Sequence, residues 1–149
     1  MKITADTNLL VRLAVNDDPQ QAQMARELLN QSELVAVPLA TLCEFVWVLR
    51  QGYGLTQADA ARAVRTLLNA DIVNYDKLAA AQGLAVLDAG GDFADGVIAY
   101  GGWQLGADEF ATFDRRAAKL VQDTGLKTRL LTTDQLASDG PDSIRQNEA

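Results

Sequence analysis

The apolar positions of this 149-residue chain change period many times, and each change marks the edge of a short element. Lys2 to Ala5 is a short extended run leading into Asp6-Thr7-Asn8, after which Leu9, Leu10 and Leu13 fall at helical spacing. Asp18-Pro19 is a helix start with proline at its first position, followed by an apolar stripe of Ala22, Ala25, Leu28 and Leu29. Leu34 to Val37 reads as a buried strand punctuated by Pro38. Leu39 to Arg50 is helical and apolar on nearly every side, and Gly52 and Gly54 end it. Thr56 with Asp59 is a weak capping-box signature ahead of the buried face Ala60, Val64, Leu67 and Leu68.

The second half continues in the same way. Asp71 to Tyr75 is an irregular or briefly extended connector, and a helix runs from about Lys77 to Leu87 before a break at Gly90-Gly91. Asp92 opens a helix through about Leu105. Phe110 to Phe113 is a strand, Arg115 to Asp123 a helix stopped by Gly125, and Thr128 to Leu131 a last short strand. Short strands alternating with helices predict an α/β fold, with a central parallel sheet of four to five short strands flanked by helices. The expected organisation is one domain over residues 1–136 and a polar, flexible tail over 137–149.

Composition narrows the chemistry. One cysteine, Cys43, rules out an intramolecular disulfide. The absence of histidine excludes Ser-His-Asp and Cys-His catalysis and histidine-rich zinc sites. No apolar run approaches the ~20 residues needed to cross a bilayer, so no membrane association is expected. MKITADTNLL lacks the pattern of a secretory signal, and the expected location is cytoplasmic. A net charge of −7 provides no broad basic footprint for nucleic acid, although a bound divalent cation changes the local field, and it suits a basic protein partner.

In parallel sheets, ligands gather beyond the carboxyl ends of the strands. Asp6 and Asp114 each follow a strand directly; each is also well placed to cap a helix. Glu44 has Leu42, Cys43, Phe45, Val46, Trp47, Val48 and Leu49 around it, and an unpartnered carboxylate buried there would cost several kcal/mol or take up a proton. A metal or catalytic role, or a salt bridge to an arginine, would meet that need. Asp92 and Asp95 share the first turn of one helix; the simplest division makes Asp92 its cap and turns Asp95 inward. If Asp6, Glu44, Asp95 and Asp114 converge, mutual repulsion raises some of their pKa values, and a hard cation such as Mg²⁺ or Mn²⁺ removes the conflict. Phosphodiester hydrolysis suits that inventory.

ITADTNLLVRL, TLCEFVWVL and DFADGVIAYGGWQLGADEFATFDRRAAKL resemble, in order, the acidic motifs of PIN domains, and most closely the VapC-like toxins of type II toxin–antitoxin pairs. The resemblance implies a Mg²⁺- or Mn²⁺-dependent endoribonuclease acting on RNA, a homodimer, and a cognate VapB-like antitoxin. It makes Asp6, Glu44, Asp95 and Asp114 the acidic quartet, with Asp6, Asp95 and Asp114 holding metal and Glu44 either completing the site or accepting a proton. Asn8 and Thr112 match positions that support the acids by hydrogen bonding. Asp92 and Arg115 are possible additions, and Arg115 and Arg116 are placed either to touch phosphates or to stand as solvated surface charges. Glu109 departs from the pattern, as an edge residue or an extra acid. Trp47 and Trp103 are read as core or dimer contacts rather than base-stacking residues. An alternative is a PIN-fold binding module with weak or no nuclease activity, working in an autoregulatory DNA-binding complex with its antitoxin. A phosphoaspartyl enzyme also carries an aspartate after its first strand but needs a second two residues on, where Asn8 stands.

Overall fold

Aspartate and threonine side chains start most of the helices. The computed structural model describes residues 1–134 and 136, so the proposed tail over 137–149 lies outside the described residues. Among those described, β1 (Lys2–Thr4) leads into α1 (Thr7–Ala14), and α2 (Pro19–Gln31) precedes β2 (Leu34–Ala36). α3 (Leu39–Trp47) runs into a π-helical turn over Val48–Gly52, followed by α4 (Gln57–Leu68) and β3 (Val73–Asn74). α5 (Lys77–Asp88), α6 (Phe93–Gln104), β4 (Phe110–Thr112), α7 (Arg115–Asp123) and β5 (Thr128–Leu130) complete the order. Asp18 accepts from the Gln21 N–H at 3.1 Å ahead of Pro19, and Thr56 accepts from the Asp59 N–H at 3.1 Å. Each such cap satisfies an amide that the helix leaves unpaired and contributes about 1 kcal/mol.

The fold is α/β and every strand pair is parallel. The strands divide between two sheets, β1-β2-β3 and β4-β5, rather than joining in one central sheet. Ile3 stands opposite Val35, Val35 opposite Val73, and Ala111 opposite Arg129. Strands of two or three residues form few ladder bonds, so most of the stabilising burial comes from the helices: Leu10, Leu42, Phe45, Leu49, Val64, Leu87 and Phe93 are almost wholly enclosed. The Ala5 N–H reaches the Ala36 carbonyl at 2.9 Å and the Val37 N–H reaches Asn74 at 2.9 Å. Asp6 and the start of α3 therefore leave the first sheet at one edge. No helix among the described residues is long and apolar enough to cross a membrane.

α5 and α6 approach most closely through glycines. A methyl group on Gly96 would stand 2.4 Å from the Gln82 carbonyl oxygen, and one on Gly83 would stand 2.6 Å from the Phe93 ring. This contact holds the first turn of α6, which carries Asp95, against the body of the domain.

A polar cluster fastens the π-helical turn to α1. Tyr53 donates its hydroxyl to Asp17 at 2.6 Å, and Arg12 pairs with the same carboxylate. The Tyr53 bond first, and Arg12 second, hold the Asp17 carboxyl below the usual aspartate range. A depressed native pKa lends stability above the ordinary value of 3.8 that disappears as the pH falls through the lowered one. Asp17→Asn is accordingly expected to melt below the wild type at neutral pH, with the gap closing on acidification; thermal melts from about pH 7 to about pH 3 check this.

Candidate active site

Asp92, Asp95 and Asp114 line one cleft of about 330 Å³, together with Trp47, Arg50 and Arg116. α6 and α7 supply the acids at their starts. Asp92 caps α6 by accepting from the Ala94 N–H at 3.1 Å, and Asp114 caps α7 by accepting from the Ala117 N–H at 3.0 Å. Asp95, in the first turn of α6, is half-buried; burial first, then the charges of Asp92 and Asp114, raise its carboxyl above the ordinary aspartate value. Burial, and then the charge of Asp92, push the Cys43 thiol on α3 up to about 11. Three like charges thus bear on one depression of the surface.

Asp6 and Glu44 are not among the residues lining that cleft. Asp6 caps α1 by accepting from the Leu9 N–H at 2.9 Å, and Glu44 accepts the Thr7 hydroxyl at 2.5 Å. Glu44 is exposed, contrary to its apolar setting in the sequence. The reason is helical geometry. Its immediate neighbours Phe45 and Val46 turn into the core, whereas Ala40, Glu44, Trp47 and Gln51 recur every three or four residues on the exposed face. The carboxylate therefore requires no buried cation.

The supporting residues also differ from the expectation. Thr7, rather than Asn8, reaches an acid; Asn8 lies a further turn-fraction round α1 and lines a separate depression with Leu9, Arg12 and Gln21. Thr112 Oγ1 accepts from the Asp114 N–H at 3.0 Å and so sets the turn into α7. Arg116 lines the cleft, whereas its exposed neighbour Arg115 is not among the lining residues. Glu109 stands just ahead of β4 and receives Arg129 of β5, Nε at 2.5 Å and Nη2 at 3.2 Å. Trp47 and Trp103 are 63% and 56% exposed, so neither is a core residue: Trp47 opens onto the cleft and Trp103 sits beside Tyr100. Arg50 had no signal in the sequence, because its place in the cleft comes from the π-helical turn.

The donor set contains only oxygen, which suits a hard cation. Among the described residues, no group of three or more histidine, cysteine, aspartate or glutamate side chains stands close enough to hold one ion. Mg²⁺ keeps several waters and is commonly held through one or two carboxylates, so the cleft acids fit that ion in chemistry and in number of donors.

A family model described as PIN domain matches residues 3–122. Among solved structures, the chain is similar to the crystal structure of Mycobacterium tuberculosis VapC20, a sarcin-ricin loop cleaving toxin, with 17% identity, 93% of this chain and 95% of that chain covered, and a TM-score of 0.40. No curated protein matches this chain.

Proposed function

Because the chain belongs to the PIN-domain family, we propose that it is a divalent-metal-dependent endoribonuclease and acts as the toxin of a VapBC-like toxin–antitoxin pair. The observation that carries this reading is the cleft in which Asp92 and Asp114 act on the half-buried Asp95, a concentration of negative charge that serves folding poorly and cation binding well. Asp95 and Asp114, with Asp6, are the residues proposed to hold Mg²⁺ or Mn²⁺. When bound, such a cation supplies Lewis-acid polarisation of a phosphate and acidification of water. Asp114 and Asp6 present their carboxylates from the rigid first turns they cap, so little order is lost on binding. Glu44, oriented by the Thr7 hydroxyl, completes the site or accepts the proton released by water. A homodimer, a cognate basic antitoxin and a cytoplasmic location belong to the same proposal.

The test is cleavage of RNA with Mg²⁺, with Mn²⁺ and with EDTA, comparing the wild type with Asp6→Asn and Glu44→Gln. Asparagine caps a helix about as well as aspartate, so Asp6→Asn removes a charge and spares α1. Cleavage is expected only with the cations, and at least ten-fold less in either variant. Activity in EDTA, or full activity in both variants, would overturn the assignment. That no three acids among the described residues stand close enough to hold one ion favours a second reading, a binding module with weak or no nuclease activity in a DNA-binding complex with the antitoxin. Under that reading the wild type leaves RNA intact and binds a basic partner tightly.

A further inference from the structure

We infer that Trp47 is a stacking platform for one unpaired base of a single-stranded RNA, with Arg50 and Arg116 of the same cleft receiving the adjoining backbone phosphates. The inference rests on the ribonuclease reading and adds to it the surface that grips the substrate.

Trp47 is the last residue of α3, one turn beyond Glu44 on the same exposed face, and it lines the cleft that holds Asp92, Asp95 and Asp114. It is thus the exposed aromatic side chain of the cleft, Phe93 beside it being buried. An indole that is 63% exposed loses the burial that usually justifies tryptophan, and it shares its cleft with Arg50, Arg116 and three aspartates. Stacking on a base is sequence-tolerant, because every base offers a π-face.

Both arginines line the cleft, Arg50 half-buried and Arg116 exposed. Arg50 Nη1 donates to the Leu55 carbonyl at 2.6 Å, which fixes the side chain where the π-helical turn delivers it. Arg116 lies against Gly90: a methyl group there would stand 2.6 Å from its Nη2, and the backbone φ of +97° is one that L side chains rarely adopt. The chain as a whole is acidic, yet this cleft places two arginines beside its aspartates. That arrangement matches a polyanion whose phosphates need arginine where no cation reaches them. An exposed aromatic side chain sharing a groove with positive groups is the pattern expected of single-stranded nucleic-acid binding.

The experiment uses the full chain with Mg²⁺ and a short mixed-sequence single-stranded RNA, in an Asp95→Asn background so that the RNA stays intact. With Trp103→Phe added, the remaining emission comes from Trp47 and is expected to be quenched as RNA binds. With Trp47→Phe instead, the Trp103 emission is expected to stay unchanged. Trp47→Ala should weaken RNA binding about ten-fold, with partial recovery in Trp47→Phe. Arg116→Ala should lower the slope of log affinity against log salt by about one. Unchanged affinity in Trp47→Ala, or unquenched Trp47, overturns the inference even where the wild type cleaves RNA. A Trp47→Ala protein that binds RNA normally but loses a dimer identifies the indole as a subunit contact and also overturns it. Quenching and weakened binding without cleavage by the wild type leave this inference standing and remove the nuclease reading.

Discussion

Gly96→Ala is expected to lower the melting temperature by about 6–12 °C, whereas Gly101→Ala, on the same helix, raises it slightly. The two sites differ in what a methyl group meets. At Gly96 it would stand 2.4 Å from the Gln82 carbonyl oxygen and 2.9 Å from the Gly83 Cα, both backbone atoms that cannot rotate away. α6 must then move off α5, at a cost of about 3 kcal/mol for overpacking of this kind. Around Gly101 nothing stands within 4 Å, so alanine there simply reduces the freedom of the unfolded chain and favours the helix by roughly 0.5–1 kcal/mol. Thermal melts of the two variants check the pair. Similar small shifts in both would show that the helices have room between them.

Asp95→Asn is expected to make the protein more stable and less active at once. The folded state holds the Asp95 proton more tightly than an unfolded chain does, so at neutral pH the ionised carboxylate opposes folding. Asparagine removes the charge at nearly constant shape, and the melting temperature should rise by up to about 3 °C without divalent cations. RNA cleavage should fall about 10²- to 10³-fold, the range for losing one aligned electrostatic contact. Added Mg²⁺ is expected to raise the melting temperature of the wild type more than that of the variant, since a ligand bound only by the native state stabilises it by mass action. Calorimetry with and without Mg²⁺, beside a cleavage assay, separates this outcome from a merely structural role, in which both stability and activity would fall.

Much of the fold is legible in the sequence because its signals are local. Asp18-Pro19, Thr56 with Asp59, and Asp92 announce helix starts through bonds that span two or three residues, and all three form as read. The alternation of strands and helices gives the parallel pairing. What fails depends on direction around a helix or on contacts distant in sequence. Glu44 looks enclosed in a row of apolar letters, yet a turn of 3.6 residues sends Phe45 and Val46 inward and leaves Glu44 and Trp47 outside. Asn8 and Thr7 are adjacent letters facing different parts of the surface. Arg50 enters the cleft because the helix widens into a π turn after Trp47, a change for which no residue type is a reliable sign. The division of the strands into two sheets is likewise a long-range choice that strands of three residues do not encode.

Asp6 and Asp114 each follow a strand, start a helix and belong to the proposed site. This double duty has a consequence for how such a chain can change over generations. A single-base change in an aspartate codon gives asparagine, which keeps the helix start and discards the charge. Chemistry and architecture are therefore separable at these two positions by the smallest of mutational steps. A lineage that abandons cleavage need not abandon its fold, and a lineage that has lost an acid can regain it on a scaffold already in place.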